Sequence, residues 1–149
     1  MLQTVALYAS VLHRDFTAYT REKLEKLGLH FGLLFFVLYV GKHPGTTPAE
    51  LTRALHLDWG HSQRCITKLV DNGFFTKEKA GRAYHLHLTE KGQEAFAVSH
   101  QVFWNWDQQR LAGLTAEERQ TLLALLQKAA ARPAPTDACR DRQGPPDQD

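Results

Sequence analysis

Cysteine is nearly missing from this chain: only Cys65 and Cys139 occur, far apart in sequence. Two distant thiols offer no disulfide framework, and such usage suits a reducing compartment. Long apolar runs are missing too. The longest, Leu33 to Val40, is too short to cross a bilayer and reads as a buried helix. The first residues lack the basic start, apolar stretch and small-residue cleavage site of a signal peptide. A cytoplasmic protein without membrane association is expected. Neither sign of charge dominates. A formal net charge of +2 over 149 residues does not by itself point to nucleic acid, so local charge has to carry that inference. No nucleophile elbow, phosphate loop or zinc-protease motif is found, so neither an enzyme nor a cofactor is indicated.

What is present is helical periodicity with precise punctuation. Val5, Tyr8, Leu12, Phe16 and Tyr19 form one apolar stripe on a helix spanning about 2–27, which Gly28 can cap. A second helix, about 30–42, is apolar on most sides and ends before Pro44-Gly45. Thr47-Pro48-Ala49-Glu50 is a capping box with proline at the first helical position. The helix it opens is short and stops near Leu55. Asp58 is another good N-cap, and a helix from Trp59 to Asn72 follows, closed by Gly73. The period then changes to two. Residues 74–79 and 82–88 read as strands broken at Ala80-Gly81. Thr89 starts a long helix with Ala95, Phe96, Val102, Phe103 and Trp106 on one side. Thr115 opens a last helix carrying Leu122, Leu125, Leu126 and Ala129. From Arg132 the chain is rich in Pro, Asp and Gly, and reads as a disordered tail.

Two short helices joined by a tight connection and followed at once by a hairpin make a winged helix-turn-helix. The expected fold class is mainly α with a small β-hairpin wing. In the second short helix, Cys65, Ile66 and Leu69 fall on the inward stripe, with Ser62 at its edge. His61, Gln63, Arg64, Thr67 and Lys68 then face outward. All can hydrogen-bond and none is acidic. Arg64 suits guanine, Gln63 suits adenine, and Lys68 suits a phosphate in a major groove wide enough for one helix. Lys77, Lys79 and Arg82 cluster at the hairpin tip, opposed by Glu78, where they can reach phosphates or a minor groove. The alternative to a DNA-reading face is an ordinary solvated helix, which would usually include Asp or Glu.

At Gly81-Arg82 and the following Tyr84-His-Leu-His-Leu-Thr-Glu-Lys-Gly92, the chain resembles the multiple-antibiotic-resistance regulator (MarR) family of bacterial transcription factors. That family pairs an Asp-x-Arg wing tip with an alternating strand and Leu-Thr-x-x-Gly. Leu88-Thr89-Glu90-Lys91-Gly92 fits the pattern, and Arg82 falls on the wing arginine. Ala80 takes the place of the Asp that helps orient that arginine. The resemblance runs from the first helix to the last. It implies a homodimer with interlocked terminal helices, a near-palindromic operator on double-stranded DNA, and repression relieved by a small molecule. The long amphipathic terminal helices give dimerisation a physical reason as well, because their stripes exceed what one module can cover.

The expected division is 1–45 for dimerisation and core, 46–92 for DNA binding, 93–131 for further dimerisation helices, and 132–149 for the tail. A small aromatic effector is expected between the dimer region and the DNA-reading lobe. His13, Phe16, His30, Phe31 and Phe35 are the candidate contacts, with Arg14, Phe36, Phe103, Trp104 and Trp106 nearby in pattern. Plain hydrophobic core is the competing reading for each aromatic. His85 and His87 share a strand face, yet no acidic or cysteine ligand has suitable local spacing, so no metal site is assigned. Cys65 reads as an inert inward thiol rather than a redox switch. Two alternatives to a DNA-binding regulator stay open: a winged-helix module that binds protein, and a metal or redox sensor on the same scaffold.

Overall fold

In a computed structural model, the described residues are 2–131, with the Phe31 side chain excepted. The expected disordered tail, with Cys139, lies outside them. Six α-helices and one hairpin follow in order: α1 (Val5–Leu24), α2 (Phe31–Lys42), α3 (Pro48–Ala54), α4 (Trp59–Asp71), β1 (Phe75–Ala80), β2 (Ala83–Leu88), α5 (Glu90–Arg110) and α6 (Ala116–Ala130). The chain is thus mainly α with a β-hairpin, as the periodicity predicts. No single helix among the described residues is long and apolar enough to cross a membrane.

The helix starts follow the caps in the sequence. Thr4, Thr47, Asp58, Thr89 and Thr115 each accept a backbone N–H from the first turn. At Thr47 and Thr115 the capping box is complete. Glu50 Oε2 accepts from the Thr47 N–H at 3.1 Å, and Glu118 Oε1 from the Thr115 N–H at 2.9 Å. These backbone bonds hold both carboxyls below their ordinary range; at Glu50 the Thr46 hydroxyl adds to the effect.

Helix α2 is the centre. It contacts α1, α3, α4, α5 and β2. Its Leu33, Phe36, Val37 and Val40 join Leu51 of α3, Ile66 and Leu69 of α4, Phe74, Phe75, Leu86 and Ala95 in one core. Burying each such aliphatic or aromatic side chain contributes roughly 1.5–3 kcal/mol. The near-continuous apolar composition of α2 is explained by this placement.

The hairpin is antiparallel, with Phe75 opposite Leu88 and Ala80 opposite Ala83. The turn is therefore Gly81-Arg82, one residue beyond the predicted break at Ala80-Gly81. Gly81 has φ +65°, which the first position of a tight hairpin turn demands and an alanine resists. On its other edge β2 is pinned to the α2–α3 loop: Leu86 N–H donates to the Thr46 carbonyl at 2.8 Å, and Gly45 N–H to the Leu86 carbonyl at 2.8 Å.

The terminal helices are poorly covered. Val5 is 82% exposed and Tyr8 54%, although both belong to the apolar stripe of α1. Helix α6 buries none of its residues, and Leu123, Leu125 and Leu126 are all more than half exposed.

Candidate nucleic-acid interface

Helices α3 and α4 are locked together by a buried polar contact. The Thr52 hydroxyl donates to the Pro48 carbonyl at 2.6 Å and shares a 2.6 Å hydrogen bond with the Ser62 hydroxyl. Ser62, placed at the edge of the inward stripe by its spacing, is fully buried. The connection between the helices turns at His56, whose φ of +55° is the left-handed conformation. That reversal lets Leu57 N–H bond the Thr52 carbonyl and aims Asp58 at the start of α4.

Burial then splits α4 into two flanks. Ser62, Ile66 and Leu69 are buried, while His61, Arg64, Thr67 and Lys68 are exposed. Gln63 departs from the expected outward position: it is half-buried, and its Nε2 has no hydrogen-bond partner. An unpartnered buried amide is costly alone but is ready to accept a partner. Gln63, Arg64, Thr67 and Lys68 border one open groove with Asp71 and Asn72. The acid-free character of this flank holds up to Lys68 and ends one turn later at Asp71.

Two neighbours of the flank were not visible in the sequence. Arg64 reaches back along the helix, where its Nη1 lies 3.4 Å from the point a Cβ on Gly60 would occupy. Lys68 Nζ lies 3.2 Å from His30 Nε2, so the ammonium donates to a ring 38 residues away. Trp59, in the first turn of α4, is an exposed aromatic at the opposite end from Lys68.

On the hairpin, alternation separates the charges. Lys77, Lys79 and Tyr84 share one face, with the Lys77 Nζ 4.4 Å and the Lys79 Nζ 6.0 Å from the Tyr84 ring centre. Glu78 falls on the opposite face, across from His85. Arg82 is exposed in the turn. His85 Nδ1 lies 2.8 Å from the Gly45 carbonyl and donates to it, which ties the hairpin to the loop before α3. Among the described residues no three His, Cys, Asp or Glu side chains gather as a metal site. Cys65 is half-buried, 3.6 Å from His61 Nε2, and burial pushes its thiol pKa up. A thiol held protonated is a poor nucleophile.

The Leu-Thr-x-x-Gly segment acquires a physical reason. Thr89 Oγ1 donates to the Gly73 carbonyl at 2.5 Å and accepts from Gly92 N–H at 3.0 Å. A Cβ on Gly92 would stand 2.1 Å from the Phe74 carbonyl oxygen. The first turn of α5 is thereby seated against the residues where α4 passes into the wing.

A second concavity lies between α1, α2 and α5. It is about 300 Å³, lined by Leu12, His13, Phe16, Phe35, Phe103, Trp106 and Asp107. Of the expected effector contacts, His13, Phe16 and Phe35 come together here. His30 does not; it faces Lys68 instead. The Phe31 side chain is outside the described residues. Trp104 is not part of the lining, and Phe36 is core.

Residues 28–92 match the winged helix DNA-binding domain family. The chain is 40% identical over 131 residues to the HTH-type transcriptional regulator BilQ of Clostridium symbiosum, covering 86% of this chain and 91% of that protein. A MarR transcriptional regulator from Methanosarcina mazei Go1 superposes with a TM-score of 0.73 at 25% identity, over 84% of this chain and 86% of that one. The chain belongs to the MarR family of winged-helix transcriptional regulators. Within the family, a putative regulator from Listeria monocytogenes, solved in complex with a 26-mer DNA, shares the fold at a TM-score of 0.78 and 21% identity, over 86% of this chain and 87% of that one. In this winged-helix fold, α3 and α4 form the helix-turn-helix and β1–β2 the wing.

Proposed function

We propose that this chain is a homodimer that binds double-stranded DNA in the cytoplasm and represses transcription from a near-palindromic operator until a small aromatic effector binds. The observation that carries the reading is the one-sided burial of α4. Its apolar flank is core, and its other flank presents His61, Arg64, Thr67 and Lys68 to solvent beside the half-buried Gln63. Those five residues are proposed to read or clamp the major groove, and Lys77, Lys79 and Arg82 to hold phosphates from the wing. The DNA-bound Listeria relative supports duplex DNA as the partner. Dimerisation is supported by the exposed apolar residues of α1 and α6, which a second copy would cover through segments 1–45 and 93–131. The aromatic cleft is the proposed effector site.

Selection of bound duplexes from a random pool tests this. The recovered sequences should carry two inverted half-sites about one helical turn apart. Their affinity should fall steeply with salt, because each neutralised phosphate releases counterions. A pool that never enriches, or binding indifferent to salt, would instead favour a winged-helix module that recognises protein.

A further inference from the structure

The walls of the cleft between α1, α2 and α5 are aromatic, and among the described residues its lining carries a carboxylate but no Lys or Arg. Phe16 is the hub. Its ring centre lies 5.1 Å from Phe103 and 5.2 Å from Trp106, both edge-on, and 6.1 Å from Phe35. Phe35 and Phe103 close the other side at 5.0 Å. Phe35 is 41% exposed although it sits in the most apolar helix of the chain, so the box is open to solvent at that wall. Asp107 belongs to the lining and is solvent-exposed, and partial desolvation raises its carboxyl pKa above the ordinary value, partly offset by Arg119. Arg119 and Arg110 are engaged elsewhere. Arg119 donates to the Leu111 carbonyl at 3.2 Å and to Gln108 Oε1 at 3.3 Å. Arg110 is paired with Asp15, which also accepts from Trp106 Nε1 at 2.9 Å.

We propose that this cleft takes an aromatic cation, a flat ring bearing an amine or quaternary ammonium group, and disfavours an aromatic carboxylate. The physical case has two parts. Aromatic faces carry negative quadrupoles, so a box of them attracts a cation that has shed its water. A ligand cation also compensates the Asp107 carboxylate for lost solvation, whereas a ligand carboxylate would meet it as a like charge, with Arg119, outside the lining, offsetting the repulsion only in part. Among the described lining residues the N–H donors are His13 and Trp106, the latter already given to Asp15. The proposal rests on the reading of this cleft as the effector site and adds its charge preference.

Calorimetric titration of the full chain with three probes sharing one ring tests it: benzyltrimethylammonium, benzyl alcohol and benzoate. The ammonium should bind about tenfold more tightly than benzoate. Asp107→Asn should erase most of that ratio while leaving benzyl alcohol unchanged, and Phe103→Ala should weaken all three. Benzoate binding best, or a ratio untouched by Asp107→Asn, would overturn the charge preference. If Phe103→Ala still abolished that binding, the cleft would survive as an effector site. Absence of saturable binding by any probe, in protein that still binds duplex DNA, would overturn both.

Discussion

Replacing Gly92 by alanine should destabilise the protein by about 3 kcal/mol and lower Tm by roughly 10 °C. The cause is backbone against side chain. The added Cβ would sit 2.1 Å from the Phe74 carbonyl oxygen and 3.2 Å from Leu88 side-chain carbons. A side chain at that distance could rotate away, but this carbonyl also accepts the Thr89 N–H at 3.0 Å and is held in place. Relief would require α5 to lift from the α4–β1 junction, breaking the Thr89 bonds to Gly73 and Phe74. The control is Gly113→Ala, where a Cβ would meet nothing within 4 Å. Thermal melts of both variants at one fixed protein concentration make the comparison, since melting of an associating chain depends on concentration. A Gly92→Ala melt within about 2 °C of the parent would mean that this junction is not as tight as described.

Replacing Arg64 and Arg82 should weaken DNA binding in two different ways. Arg64 is exposed on the reading flank, and a guanidinium that forks onto one guanine is worth about 1–3 kcal/mol of discrimination. Arg64→Ala should therefore cost roughly 10- to 100-fold in affinity for the selected operator, and relax the preference at one base pair in each half-site. Arg82 lies in the wing turn, with Ala80 where the family carries an aspartate. It is proposed to serve as a point charge, so Arg82→Ala should weaken all duplexes alike. The slope of log affinity against log salt should become shallower by about 1 for each protomer. Anisotropy titrations over a salt series with operator and scrambled duplexes separate the two effects. Loss of the salt term in Arg64→Ala, or of base preference in Arg82→Ala, would reverse the assigned roles.

Much of this architecture can be read from the sequence because its signals are local. Thr47, Asp58, Thr89 and Thr115 each declare a helix start within four residues, and each caps one. The inward stripe of α4 follows from period alone. Signals that depend on distant partners are not legible in this way. Nothing in the neighbourhood of His30 announces Lys68, and Asp15 meets Trp106 and Arg110 91 and 95 residues away. The turn register slipped by one because Ala80-Gly81 and Gly81-Arg82 are both acceptable dipeptides, and only cross-strand pairing decides between them. Ser62 reads as a polar edge residue, yet it is buried because Thr52 supplies a hydrogen bond from another helix. The stripe of α6 was legible, and so was its excess over what one module covers; among the described residues Leu125 and Leu126 stay more than half exposed. A partner surface cannot be read from the sequence of one chain.

Methylation protection on the selected duplex bears most directly on the claim that α4 reads base edges. If Arg64 forks onto guanine O6 and N7, dimethyl sulfate should fail to reach N7 of one guanine in each of two successive major grooves on one side of the duplex. Arg64→Ala should restore both. Full reactivity at every guanine, in duplex that is demonstrably bound, would show that α4 does not enter the major groove through Arg64.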